Sequence, residues 1–283
     1  MSLKVKKAAG IGFCMGVRRA IDILEQVASE RGGVETLGAV VHNRQVLRRL
    51  TDIGVKIVNS VDDIQGDVVV ISSHGVSPQV EEEIRARHTK IIDTTCPFVK
   101  RAQVAARRLA ESGFFTIVFG DVGHPEVKGI LGWVGRKGMA TQDASALIGL
   151  DYLPRRLGVL SQTTQIPAYF IHFTKELIDS ALVKDSELRV IDTICHDIRR
   201  RQADTLRLAE ESDLMLVVGG RNSANSQHLV ELCSGVTKTH LVETADEIQS
   251  SWLQDKCCIG VTSGASTDEQ TIDEVVARLE SLA

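Results

Sequence analysis

The sequence predicts an α/β fold of three similar small units with mainly parallel sheets, in a pseudo-threefold (trefoil) arrangement around a central site. Three observations carry this. Short β-branched runs alternate with helical patterns along the chain, as in parallel sheets covered by helices. Three cysteines, Cys14, Cys96 and Cys195, each close a strand-like run and open a helical one. Two further polar signatures then follow each cysteine at similar distances.

Taken in order, Ala8 to Phe13 lead into Cys14, and a helical pattern follows through Val17, Ile21, Leu24 and Ala28. Val68 to Ile71 reads as a strand, apolar throughout because both sheet faces are covered. Asp93-Thr94-Thr95-Cys96-Pro97 follows a strand and opens a helix with Val99, Ala102, Ala106 and Leu109 on its apolar side. Phe115 to Phe119 and Leu157 to Leu160 are the next strands. Asp192-Thr193-Ile194-Cys195-His196 opens a helix through Ile198, Leu206 and Ala209. Leu214 to Val218 and Cys258 to Val261 are strands again.

The second signature places His42, His124 and Asn225 after the three cysteines at gaps of 28, 28 and 30 residues. The third is Ser72-Ser73-His74-Gly75, Ser161-Gln162-Thr163-Thr164 and Ser263-Gly264-Ala265-Ser266-Thr267, with His74, Thr163 and Ser266 taken as equivalent. Units are expected at 14–97, 98–194 and 195–283, with 1–13 as an N-terminal strand carrying the approach to the first cysteine. Parallel strands bring such carboxyl-end loops to one sheet edge, where ligands bind.

Composition narrows the function. At 283 residues the chain suits two or three domains. A net charge of −4 argues against nucleic acid or an anionic membrane as partner. No apolar run nears the ~18–20 residues of a membrane span, and the basic start, Met1 to Lys7, precedes no apolar signal core. A cytoplasmic location is expected. Aromatic residues are 4%, too few for a base-stacking platform.

In such a chain the six cysteines point to metal, catalysis or burial rather than disulfides, and no CxxC pair occurs. Three converging thiolates suit zinc or an iron–sulfur cluster, and leave one coordination position open in either case. Cys233, Cys257 and Cys258 read as buried structural residues. His42, His74 and His124 suit a three-histidine metal site or a phosphate clamp. The third unit offers Ser223, Asn225 and Ser266 instead, poor metal ligands but good donors, which favours an anion such as a diphosphate. Glu126, in the stiff turn Gly123-His124-Pro125-Glu126, reads as a proton donor or as a first-turn glutamate facing the helix dipole. Gly10-Ile11-Gly12 with Gly16 misses the dinucleotide fingerprint at Met15. Arg199-Arg200-Arg201 and Arg107-Arg108 read as solvated faces, and the remaining histidines as surface or structural.

With these residues assembled, the sequence resembles the 4-hydroxy-3-methylbut-2-enyl diphosphate reductases, the IspH/LytB family. The motifs are Gly12-Phe13-Cys14-Met15-Gly16-Val17, Val41-His42-Asn43-Arg44, Ser73-His74-Gly75-Val76-Ser77, Thr94-Thr95-Cys96-Pro97, Gly123-His124-Pro125-Glu126-Val127, Gln162-Thr163-Thr164, Asn222-Ser223-Ala224-Asn225-Ser226 and Val261 to Ser266. They span essentially the whole chain. The resemblance implies one [4Fe-4S] cluster per chain, held by Cys14, Cys96 and Cys195, with one iron open to the substrate's hydroxyl. It implies diphosphate binding by His42, His74, His124, Ser223, Asn225 and Ser266. Thr163 would sit near the leaving hydroxyl, with Thr164 as the neighbouring alternative, and Glu126 would supply protons. Ala224 stands where many members have a second serine, which removes that side-chain contact while a neighbouring backbone N–H can still serve the phosphate. The implied substrate is an isoprenoid diphosphate, reduced at its allylic hydroxyl to isopentenyl and dimethylallyl diphosphates in the last step of the non-mevalonate pathway. A ferredoxin or flavodoxin is the implied electron donor. Two rivals of other classes are a zinc-dependent diphosphate hydrolase and a non-catalytic iron–sulfur sensor.

Overall fold

The computed structural model describes residues 3–147, 154–181 and 185–282. Met1 and Ser2 of the basic start, and Ala283 of the expected third unit, lie outside the described residues. The chain is α/β, with three parallel four-stranded sheets. The first contains β2 (Val34–Leu37), β3 (Val55–Val58), β4 (Val68–Ile71) and β5 (Lys90–Asp93), in spatial order β3-β2-β4-β5. The second contains β6 (Phe115–Phe119), β7 (Gly138–Thr141), β8 (Arg156–Ser161) and β9 (Glu187–Ile191), in order β7-β6-β8-β9. The third joins β10 (Leu214–Val218), β11 (Thr239–Val242) and β12 (Cys258–Ser263) to β1 (Lys4–Lys7), in order β1-β12-β10-β11.

The three sheets share one wiring: second, first, third, fourth strand. Every strand pair is parallel. The last strand of the third sheet comes from the other end of the chain, since β1 pairs with β12 from Lys4 opposite Cys258. Of the fourth strands, β5 and β9 end three and four residues before Cys96 and Cys195, and β1 ends seven before Cys14.

Two compact units result. One comprises the chain up to Ile21, Val41–Ile53 and the chain from His196 onward, and contains the third sheet. The other comprises Asp22–Val40 and Gly54–Cys195, and contains the first two.

Continuous apolar strands form here because helices cover both faces. Ile117, Phe119, Leu157 and Val159 pack on Phe170, Phe173 and Leu177 of α6 (Pro167–Ala181). The opposite face, Val118 and Leu160, packs on Ala102, Ala106 and Leu109 of α4 (Pro97–Glu111). In the third sheet, Leu214, Leu216, Ile259 and Val261 pack on Ile272, Val275 and Leu279 of α9 (Glu269–Ser281). Among the described residues no helix is long and apolar enough to cross a membrane.

Of the three cysteines expected in the core, only Cys233 is fully buried, and burial pushes its thiol up to about 12. Cys257 is exposed and Cys258 half-buried. Their strand opens at the rim, where the Asp213 carboxylate accepts both of their backbone N–H groups at 2.9 Å.

Candidate functional site

Each corner cysteine stands at the head of a long helix: Cys14 before α1 (Met15–Arg31), Cys96 before α4, and Cys195 before α7 (His196–Glu210). The first helical bonds close on the cysteines themselves, Arg18 N–H to the Cys14 carbonyl at 2.9 Å and Lys100 N–H to that of Cys96 at 3.0 Å. A helix N-terminus favours thiolate. At Cys14 burial pushes the thiol up, while the N–H groups of Val17 and Gly16 and the charge of Arg201 pull it down.

One backbone bond repeats at all three corners. Cys14 N–H donates to Ala265 at 3.0 Å, Cys96 N–H to Ser73 at 3.0 Å, and Cys195 N–H to Thr163 at 2.9 Å. A second fixes the same register: Gly75 N–H on Ser72, Gln165 N–H on Gln162, Thr267 N–H on Gly264. The equivalent residues are thus Ser73, Thr163 and Ala265, and one step on His74, Thr164 and Ser266. This corrects the sequence register, which matched Thr163 to His74. The second signature shifts too. Its equivalent residues are the helix caps Asn43, His124 and Ser223 of α2 (Arg44–Asp52), α5 (Pro125–Val134) and α8 (Ala224–Ser234). These follow their cysteines by 29, 28 and 28 residues, a tighter repeat than the one through His42 and Asn225.

The unit holding the first two sheets links His74, His124, Glu126 and Thr163 through ring contact and hydrogen bonds. The His74 and His124 rings meet edge to face with centroids 5.3 Å apart. His124 caps α5 by accepting the Glu126 N–H at Nδ1, 3.1 Å, so a neutral ring carries its proton on Nε2. Glu126 is 2% exposed. Its Oε1 accepts the Thr163 N–H at 2.7 Å and its Oε2 the Thr163 hydroxyl at 2.9 Å. Burial nonetheless raises its carboxyl to about 7, against the pull of those two bonds. Glu126 thus lies in the first helical turn, and burial leaves its carboxyl near the balance between acid and anion at neutral pH. Thr164 is engaged elsewhere, accepting from Gln162 Nε2 at 3.1 Å.

The other unit gathers polar groups around the head of α8. A Cβ on Gly220 would lie 1.9 Å from the His42 carbonyl oxygen, so only glycine lets the loop before α8 approach His42. Ser223 caps α8, its hydroxyl accepting the Ser226 N–H at 3.3 Å. The first intrahelical bond, from Gln227 to Ser223, leaves the Ala224 and Asn225 N–H groups at the unpaired end of the helix. Asn225 is 4% exposed, and both polar atoms of its amide are buried with no hydrogen-bond partner. Leaving such groups unsatisfied costs ~1–3 kcal/mol, which a bound anion's oxygen would offset at Nδ2. The Ser226 hydroxyl is likewise unpartnered, against Gly264 and Gly219. Ser266 is buried, one residue past the carbonyl that holds Cys14. Burial keeps the His42 imidazole below its usual value.

Arg201 is where the sequence reading failed. Expected on a solvated face, it is 6% exposed. It shares the buried face of α7 with Ile198, Gln202, Thr205 and Leu208, a three-and-four spacing that reveals it. Arg107, Arg108 and Arg200 are exposed as expected.

The model for the family described as LytB protein matches residues 5–280. The chain belongs to the LytB family. A LytB relative from Dehalococcoides mccartyi (strain CBDB1), a 4-hydroxy-3-methylbut-2-enyl diphosphate reductase, is 60% identical over 281 residues, 99% of each chain. The reductase of that name from Geobacter sulfurreducens is 38% identical over 280 residues, covering 98% of this chain and 97% of its own. Among solved structures, the E-1-hydroxy-2-methyl-but-2-enyl-4-diphosphate reductase of Plasmodium falciparum superposes with a TM-score of 0.91 at 25% identity, covering 98% of this chain and 88% of that one. An (E)-4-hydroxy-3-methyl-but-2-enyl diphosphate reductase, described as the terminal enzyme of the non-mevalonate pathway, gives 0.71 at 34% identity over 99% of each chain.

Proposed function

We propose that Cys14, Cys96 and Cys195 hold one [4Fe-4S] cluster per chain and leave one iron without a protein ligand. The LytB family is one of iron–sulfur enzymes, and the donor set here fits: three thiols at one repeated structural position, each at a helix head that favours thiolate. The activity is that of a 4-hydroxy-3-methylbut-2-enyl diphosphate reductase, terminal in the non-mevalonate pathway. Two electrons and two protons remove the allylic hydroxyl as water, giving isopentenyl and dimethylallyl diphosphates. When bound, the cluster supplies electrons and a Lewis-acidic iron.

The chain's own residues do the rest. His42, His74, His124, Ser223, Asn225 and Ser266, with the Ala224 N–H, bind the diphosphate. Holding that remote end positions the reacting carbon. Glu126 releases a proton toward the departing hydroxyl through the Thr163 hydroxyl. The three repeats run 14–97, 98–194 and 195–283, with 1–13 supplying the approach to Cys14. Electrons arrive from a ferredoxin or flavodoxin in the cytoplasm.

The observation that carries this reading is the run of bonds from the Glu126 carboxyl to Thr163, and from the Thr163 carbonyl to Cys195. It couples a group titrating near neutrality to a cysteine corner. Anaerobic purification followed by Mössbauer spectroscopy tests it. Substrate is expected to change one iron site of a cubane cluster; stoichiometric zinc without iron would overturn the reading.

A further inference from the structure

Arg201 lies six residues after Cys195, and the residues six after Cys14 and Cys96 are Ala20 and Ala102. Both alanines are 0% exposed, so in all three repeats this position faces a packed interior. Two repeats fill it with a methyl group. The third fills it with a guanidinium, and a buried cation is strongly unfavourable unless hydrogen-bonded and near an anion.

Its hydrogen bonds are clear. Nη2 donates to the Gly12 carbonyl at 2.8 Å and Nη1 to the Ser263 carbonyl at 3.2 Å. These acceptors are neutral and leave the charge in place. The charged neighbours are Cys14, Asp197 and Arg200. Asp197 already faces Arg200, at 3.5 Å. The remaining acidic neighbour is the Cys14 thiol, which burial pushes up and the Arg201 charge pulls down; a metal-bound sulfur there would be the anion this charge faces.

The two acceptors flank the site on both sides. Gly12 N–H donates to the Ser263 hydroxyl at 2.9 Å, and Cys14 N–H to Ala265 at 3.0 Å. Gly12 leads to Cys14, and Ser263 leads to Ser266. The fork of Arg201 therefore closes a bonded frame that contains a proposed cluster ligand and a proposed diphosphate ligand.

We propose that Arg201 is a positioning residue: it clamps the Gly12 and Ser263 carbonyls so that Cys14 and Ser266 move as one body, and its buried charge favours the electron-rich state of a cluster held at Cys14. The second half rests on the cluster reading; the clamp does not. A fixed positive charge beside a thiolate ligand raises a cluster's reduction potential. Ala20 and Ala102 supply no such charge at the other two corners.

Arg201→Met and Arg201→Lys, purified anaerobically as holoenzyme, test both halves. Iron content is expected to stay near wild type in each. Arg201→Met lowers the midpoint potential in an EPR-monitored titration and speeds amide hydrogen exchange in residues 10–14 and 263–267. It also raises KM several-fold more than it lowers substrate-saturated turnover. Arg201→Lys restores most of the potential, which follows charge, but not the exchange protection, which needs the planar fork. An unchanged potential in iron-replete Arg201→Met overturns the electrostatic half, and unchanged exchange overturns the clamp. If Arg201→Met does not fold, Arg201→Lys still decides, since wild-type exchange there contradicts the clamp. A wild-type protein that holds no iron overturns the cluster reading itself, and exchange in that protein then judges the clamp alone.

Discussion

Glu35 and Glu126 lie in the same compact unit, 9% and 2% exposed, yet their carboxyls shift in opposite directions. Burial pushes both up. At Glu35 the N–H groups of Gly66 and Gln65, at 2.9 and 2.8 Å, and then Lys56 at 3.1 Å outweigh it, and the carboxyl falls below its usual range. Glu35 also lines an open cavity of about 380 Å³, so solvent still reaches its charge. Glu126 has one N–H, one hydroxyl and no cation among the groups that shift it, and its carboxyl rises to about 7. The difference teaches which buried acid keeps an exchangeable proton near neutrality. A carboxylate given a cation and two amides is fixed as an anion; one given a single threonine is left near balance.

The largest expected effect is on turnover. Glu126→Gln keeps the shape and can still bond Thr163, but has no proton to release. General acid catalysis is worth ~10²–10⁴ in rate, so single-turnover kinetics with a strong reductant should slow at least 100-fold with iron content unchanged. Glu35→Gln, far from this chemistry in kind, should leave turnover at wild type.

Stability sharpens the contrast. The Glu126 carboxyl rises from 4.5 to about 7 on folding, so its favourable contribution is full below pH 4.5 and is lost as pH climbs through 7. At 1.36 kcal/mol per unit, ionising it costs the fold about 3 kcal/mol, and denaturant titration at pH 8 should find Glu126→Gln more stable by that order. Glu35 has the opposite sign. Its contribution is present above the ordinary carboxylate range and lost as pH falls below it. Glu35→Gln should therefore destabilise at pH 7, by about 1–3 kcal/mol, and flatten the acid limb of the stability curve. Most of that loss belongs to the two backbone donors, because Lys56 is 57% exposed and its pairing is screened.

The smallest effect is expected at the hydroxyl that joins Glu126 to the site. Thr163→Val keeps the backbone bond to Oε1 and removes the one to Oε2. A neutral hydrogen bond of about 1.4 kcal/mol corresponds to a tenfold fall in kcat, with KM less affected. A larger change in KM than in kcat would move Thr163 out of the proton path and into substrate binding.

Much of this was legible in the sequence, for identifiable reasons. Val68–Ile71, Phe115–Phe119 and Leu214–Val218 are strands with the expected ends, because runs buried on both faces announce themselves. Two strands run further than read, to Ser161 and Ser263, because ladder bonds continue into the polar loop. An N-terminal strand is expected within residues 1–13 and β1 lies there, but its partnership with β12 from the far end of the chain left no local pattern to find. Identity placed the corner cysteines, yet the register of the loops facing them emerged only from backbone bonds that no side chain reveals. That is why Thr163 was matched one residue out. The proton-donor reading of Glu126 rests on its stiff turn, which shows neither its burial nor its bonds to Thr163; burial is what raises its carboxyl. Arg201 was missed because a run of three arginines suggests solvent, although helical spacing turns only the third one inward.

The central claim is that Glu126 sits at its protonation balance in the working range. The direct measurement is an infrared difference titration of anaerobic wild-type protein against Glu126→Gln, following the carboxyl stretch across pH 5 to 9. A protonated band that disappears with a midpoint near 7 agrees with the account; a carboxylate already ionised at the acid end, like that of Glu35, contradicts it.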